Sequence, residues 1–243
     1  MKRYVTTRNW LSILRDLPSP EGDFLTMASL AKLTGLKDSA VRQVCWRNQR
    51  VGLLRRVGPN LYANLLKSPK GEQLAVILFP PAYLSLDWAL SYHGLTQQVT
   101  PTLTCVTIGR PRRVETFLGE ISYIHFAEQR FFGFEQVKTT SGAETILAYP
   151  EKALLDWIYY RRLKGKEIPW DEIDLSTLNL QRLWQFADHF PPGVRGTLEA
   201  VLDVTTSTVA RLQCNKGMKK GVIFRGISPS NPRKNQQRTH HTS

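Results

Sequence analysis

Residues 30–41 read Leu-Ala-Lys-Leu-Thr-Gly-Leu-Lys-Asp-Ser-Ala-Val, and their spacing admits few folds. Ala31 is small where two helices must cross closely, and Gly35 suits a left-handed turn. Leu36 fills the gap between the helices, and Asp38 or Ser39 is placed to cap the second. This is the pattern of a helix-turn-helix unit. Upstream, Trp10, Ile13, Leu14 and Leu17 fall at i, i+3, i+4 and i+7, one face of an amphipathic helix that Pro18 closes. Thr26 is placed to cap a helix over 27–34, with Gly35 as its stop. Downstream, residues 53–57 and 61–63 flank Gly58-Pro59-Asn60, which predicts a β-hairpin. Residues 1–66 are therefore expected to form a winged helix-turn-helix domain.

At 100° per residue, Val41, Val44, Cys45, Asn48 and Val51 gather on one side of a helix over 39–51, and Ser39, Arg42, Gln43, Trp46, Arg47 and Arg50 take the other. Asn48 is expected to bond to backbone at the edge of the core, and Trp46 to pack on the wing or on a second subunit in preference to lying against a sugar. Arginine and glutamine match guanine edges, adenine edges and phosphates if the helix enters a major groove. Arg55, Arg56 and Asn60 on the hairpin are candidates for backbone or minor-groove contact, while Tyr62 is expected to pack beneath it. An ordinary solvated helix face also carries arginines, but the charge partition favours DNA. Residues 1–70 hold 13 Lys/Arg and 4 Asp/Glu, residues 71–203 hold 12 and 16, and residues 204–243 hold 8 and none. A basic head beside a mildly acidic body attracts phosphate at one end only. Double-stranded DNA is the expected partner, bound by a dimer or a pair of molecules on inverted repeats.

Residues 67–72 read as a linker. Residues 74–79, Leu-Ala-Val-Ile-Leu-Phe, have the length of a buried strand. A helix from Tyr83 to Leu95 is expected, with Ser85 as cap, His93 capping its own C-terminus and Gly94 as stop. Strands over 102–108, 116–126 and 131–149, the last two broken into hairpins at Leu118-Gly119-Glu120 and Ser141-Gly142, suggest an antiparallel sheet of four or five strands. Pro150 opens a helix at its first position, with Lys152, Asp156 and Arg161 placed on its exposed face. Helices over 178–190 and 193–202 follow. The expected class is α+β: the winged helix, then an α+β domain over 73–203 with a mainly antiparallel sheet and C-terminal helices. Residues 204–243 form a basic tail expected to be disordered. Cys45, Cys105 and Cys214 are odd in number and far apart, which argues against a disulfide framework or a cysteine zinc site. No run approaches the ~20 apolar residues of a membrane span and the N-terminus lacks a secretory signal, so a cytoplasmic chain without a membrane partner is expected.

The body resembles the AbiEi-type antitoxins of type IV toxin-antitoxin systems in three stretches. These are Tyr83-x-Ser85-x-x-x-Ala89-Leu90-x-x-His93-Gly94-Leu95, Thr107-x-Gly109-Arg110-Pro111-Arg112, and Ala148-x-Pro150-Glu151-Lys152-Ala153-Leu154-Leu155-Asp156. With the N-terminal unit the resemblance covers residues 5 to about 203. It implies a DNA-binding domain that represses its own operon and a body that counteracts a cognate nucleotidyltransferase-like toxin. Winged-helix contacts carry over to Lys37, Ser39, Arg42, Gln43, Arg47 and Arg50. Apart from the resemblance, Arg110, Arg112 and Arg113 bracket a proline on a loop after a strand, placed either to grip an acidic partner or a phosphate or to stand as a solvated loop, and Lys152 is a further candidate for meeting a partner.

Two other readings compete. One is a winged-helix regulator whose body senses a small ligand. The other is a metal-dependent nuclease, whose site needs a carboxylate followed by acid-x-Lys on a neighbouring strand. Here Gln136-x-Lys138 stands in that place, with Glu135 one position off and Glu115 or Glu120 needed to complete the set. No phosphate-cradling glycine loop, serine elbow or zinc-helix motif occurs, so no enzyme, metal or cofactor is expected.

Overall fold

The computed structural model describes residues 7–202, a mixed α+β chain. One compact unit runs to Thr197, and a second begins at Leu198. The basic tail over 204–243 lies outside the described residues, as does its short apolar stretch at 221–224. No described helix is long and apolar enough to cross a membrane.

The N-terminal region runs α1 (Thr7–Asp16), β1 (Phe24–Thr26), α2 (Met27–Thr34), α3 (Asp38–Arg50), β2 (Leu54–Gly58) and β3 (Leu61–Asn64). The three strands form an antiparallel sheet in the order β1-β3-β2. Thr26 caps α2 as its spacing predicts: its hydroxyl accepts from Ser29 N at 3.0 Å, and Ser29 Oγ accepts from Thr26 N at 2.9 Å. Gly35 turns left-handed at φ 66°. The start of α3 differs from expectation. Lys37 occupies the cap position, and neither Asp38 nor Ser39 supplies a capping side chain. Trp10, Leu14, Leu30, Val41, Cys45 and Leu54 make the core, with Tyr62 packed among them. Val51, expected inside, is 58% exposed because α3 ends at Arg50 and the chain turns there.

Asn64 organises this region. Fully buried at the end of β3, it donates through Nδ2 to Leu14 O at 2.8 Å and Gly22 O at 3.0 Å. A carbonyl near the C-terminus of α1 and one in the following loop are thereby satisfied by one amide.

In the body, residues 74–79 are not a strand. They fall largely within α4 (Gly71–Ile77), in which Gln73, Leu74, Ala75 and Val76 are all buried. A short apolar run carries no period that separates a buried helix from a buried strand, and Glu72-Gln73-Leu74-Ala75 are strong helix formers. Gly71 and Glu72, expected in the linker, form its first turn. Next come β4 (Ala82–Leu84), α5 (Leu86–Tyr92), β5 (Leu103–Thr107), β6 (Arg112–Thr116), β7 (Gly119–His125), β8 (Phe134–Lys138), β9 (Glu144–Ala148), α6 (Pro150–Leu163) and α7 (Leu180–Ala187). Residues 192–202 are also helical.

The body sheet has six strands in the order β6-β7-β5-β4-β9-β8. Both expected hairpins form, β6·β7 and β8·β9. The sheet is mixed rather than antiparallel throughout, because β5·β7 and β4·β9 pair in parallel. Strand β4 replaces the start of the helix expected from Tyr83, and Ser85 stands at the cap position of α5 without a side-chain cap bond. The two regions are pinned together. Gln73 Nε2 donates to Pro20 O at 2.9 Å, and Gly58 lies so close to Leu78 that a Cβ there would meet Leu78 Cδ1 at 2.5 Å.

Candidate nucleic-acid interface

Helix α3 is held from below by Val41, Val44 and Cys45, all buried in the N-terminal core. Burial pushes the Cys45 thiol up to about 11, so it acts as a packing group rather than a nucleophile. The 3.6-residue period then leaves Arg42, Gln43, Trp46, Arg47 and Arg50 exposed on the outer face, with Lys37 and Ser39 exposed at its start. Trp46 is not buried against the hairpin. It is 57% exposed, and the Arg50 guanidinium lies 4.8 Å from its ring centroid. Asn48, expected to bond to backbone, is buried with its Nδ2 unpartnered. Sequence reasoning places the whole outer face correctly and errs at the helix ends, where the chain's turn decides exposure.

On the hairpin, Arg55 and Arg56 are both exposed, but consecutive strand residues point to opposite faces. Arg55 stacks on Phe117 of the β6–β7 turn, 4.5 Å from the ring centroid. Arg56 donates through Nε to Gly58 O at 3.2 Å beside the tip. Asn60 turns the tip in the left-handed region at φ 55°, a conformation asparagine tolerates better than most residues. Tyr62 is buried beneath, as its place in the alternation predicts.

The body arginines are dispersed in their roles. Arg110 is exposed in the loop after β5. The Arg112 guanidinium lies 4.0 Å from the Phe79 ring centroid, and Arg113 pairs with Glu120. His93 stands at the C-cap of α5 as expected, its backbone N–H donating to Ala89 O at 2.9 Å, while its side chain reaches beyond the helix. Its Nε2 donates to Ala148 O at 2.8 Å, tying α5 to β9, and burial lowers its pKa.

Lys152 overturns its expected role most clearly: it is fully buried, as is Asp156 one turn later, and the two form an ion pair. Lys152 also donates to Tyr83 Oη at 2.8 Å, while Tyr83 Oη at 2.9 Å and Ser85 Oγ at 2.8 Å donate to the second carboxylate oxygen of Asp156. Phe132 and Phe190 flank the ammonium at 4.9 and 5.2 Å from their ring centroids. Burial pushes the Lys152 ammonium down and the Asp156 carboxyl up, each against the pull of its partner, and holds the Tyr83 phenol well above its usual range. Ser85 reaches Asp156 because the chain turns sharply after β4, with Leu86 at φ 61°. Thr104 braces that turn: Ser85 N donates to its carbonyl at 3.0 Å, and its hydroxyl donates to Ser85 O at 2.6 Å. The cluster is a closed polar knot, with its charge directed inward.

The residues of the nuclease reading are not brought together. Gln136 and Lys138 lie on β8, one edge of the sheet, and Glu115 and Glu120 on β6 and β7 at the other. Five strand spacings separate β8 from β6, about 24 Å. Among the described residues no group of three or more His, Cys, Asp or Glu is placed to hold a metal ion. No protein-family model matches this chain, and no curated protein matches it.

Proposed function

We propose that this protein is a transcriptional regulator of the AbiEi type. Its N-terminal region acts as a winged helix-turn-helix that binds operator DNA and represses its own operon, and its body counteracts a nucleotidyltransferase-like toxin. The observation that carries the DNA-binding half is the outer face of α3, where Arg42, Gln43, Arg47 and Arg50 stand exposed in one stripe over an apolar inner face. In this reading α3 enters the major groove with Lys37 and Ser39 at its leading end, and Arg56 and Asn60 of the hairpin reach the adjacent backbone. Arg55 holds the hairpin against the body instead. The antitoxin half rests on the resemblance of the three body motifs. Lys152 and Asp156, the charged residues of the third, act there by shaping the body rather than by touching a partner.

Gel-shift titration against the DNA upstream of the protein's own gene tests the first half. Binding is expected to weaken steeply with salt, by a log–log slope of about −4 to −5 if five cations meet phosphates. A flat salt response overturns it. Co-expression with a neighbouring nucleotidyltransferase-like gene tests the second half, with restored growth as the expected result and continued toxicity as the refuting one.

A further inference from the structure

Where α3 meets the hairpin, one buried side chain ends in a polar group without a partner. Tyr62 is only 8% exposed, with its ring in the same core as Val41, Val44, Cys45 and Leu54. Its hydroxyl opens to solvent and meets no hydrogen-bond partner among the described residues. Two guanidinium groups approach that hydroxyl from different elements. Arg56 stands directly opposite Tyr62 in the β2·β3 ladder, so both side chains lie on the face of the sheet that meets the helices, whereas Arg55, opposite Ala63, takes the other face. Arg56 uses only Nε on Gly58 O, which steadies the guanidinium and leaves both terminal nitrogens without a partner among the described residues. Arg42 comes from α3, which packs against β2. It lies about 60° around the helix from the buried Cys45, at the rim of the face that covers Tyr62.

Electrostatics agrees with that placement. Burial raises the pKa of the Tyr62 phenol and Cys45 adds to the rise, while Arg56 and Arg42 pull it down, so both cations lie within electrostatic reach of the hydroxyl. The phenol therefore stays a proton donor at neutral pH. Neither arginine pairs with a carboxylate among the described residues. Two cations and a hydroxyl donor around one cleft match an anion with several acceptor oxygens, which a phosphate supplies; a single guanidinium fork already fills the two oxygens of a carboxylate. The cleft borders the outward stripe of Gln43, Arg47 and Arg50, so a phosphate that belongs to a chain of phosphates suits it better than a free one.

We propose that Tyr62, through its hydroxyl, joins Arg42 and Arg56 in a clamp that holds one phosphate of the DNA backbone where α3 meets the hairpin. This inference rests on the DNA-binding reading above and adds a gripping residue, Tyr62, that carries no charge. It also makes Arg42 a residue that sets register on the duplex rather than one that reads a base.

The test uses the full chain, the DNA upstream of its own gene, and the variants Tyr62→Phe and Arg42→Gln. In gel-shift titration Tyr62→Phe is expected to bind about tenfold more weakly, the loss of one hydrogen bond to a charged group, with an unchanged melting temperature. Operators in which single backbone phosphates are replaced by neutral methylphosphonate then locate the clamp. At one position the replacement should weaken wild type but leave Tyr62→Phe and Arg42→Gln little further affected, because the phosphate those residues serve is already neutral. Arg42→Gln changes an exposed residue, so it carries the same comparison if Tyr62→Phe lowers the melting temperature. If wild type binds the DNA but both variants respond to every methylphosphonate as wild type does, the clamp falls and the DNA-binding reading stands. If wild type does not bind, that reading falls and takes this inference with it. Calorimetric titration with inorganic phosphate separates the two sources of the anion. Phosphate binding that Tyr62→Phe abolishes, with operator affinity unchanged in that variant, overturns the DNA backbone as the occupant.

Discussion

The two regions of the described chain use charge in opposite directions. The N-terminal region turns its arginines outward from α3 and fills its core with apolar side chains, Asn64 and Asn48 being polar exceptions. The body buries Glu151, Lys152 and Asp156 on the first two turns of α6. The difference separates two physical tasks. Exposed cations keep their hydration until a polyanion replaces it, so they stay free for one. A buried ion pair loses its hydration on folding, so its geometry must be supplied by the rest of the fold, here by Tyr83 and Ser85. Charge in the head is available for recognition, whereas in the body it specifies how α6 meets the sheet.

The sharpest way to break that contrast is to remove one member of the buried pair. Lys152→Met leaves Asp156 buried without its cation and is expected to cost about 3–5 kcal/mol in urea unfolding. Lys152→Met with Asp156→Leu should recover part of the loss, and a single-variant cost near zero would mean that the pair is open to water. In the head, Arg47→Ala with Arg50→Ala should weaken operator binding about 100-fold, about 2.7 kcal/mol, while leaving the melting temperature in place. Unchanged affinity in a gel shift would break the assignment of α3 as the reading helix. A smaller effect comes from local structure: Thr26→Ala removes half of the capping box and is expected to cost about 1 kcal/mol by urea unfolding. The smallest is a pH effect at His93. Its folded pKa lies below the ordinary value, so the unfolded chain takes up the proton first, and stability is lost as pH falls below about 6.5. Melting curves between pH 7.5 and 5.5 should show a decline that flattens in His93→Gln. An identical slope in that variant would assign the decline to other groups.

The same contrast explains what could be read from the amino-acid order. Helix α2, its Thr26 cap, the Gly35 turn and the outward arginines of α3 depend on residues within one or two turns of each other. The hairpins at Gly58-Pro59-Asn60, Leu118-Gly119 and Ser141-Gly142 are equally local. Lys152 and Asp156 are spaced i, i+4, the spacing of a surface ion pair, and so read as exposed. A signal was present nonetheless. Apolar residues at 153, 154, 155, 157 and 158 spread over about 200° of the helix circumference, and Tyr159, Tyr160 and Leu163 interrupt the remaining arc in which Lys152 and Asp156 fall, leaving no continuous polar face. Residues 74–79 misled for the complementary reason, since an apolar run too short to show a period fits either a buried strand or a buried helix.

The order of amino acids alone determined the cationic stripe on α3, because caps, turns and helical periodicity act between near neighbours. It also determined the division of charge between head and body. Only the tertiary structure decided that Arg55 stacks on Phe117, that β8 and β6 lie at opposite edges of one sheet, and that Lys152 faces Tyr83 across a gap of 69 residues. Those outcomes depend on which distant segments share a core, and burial, unlike helical periodicity, is not a property of neighbouring residues.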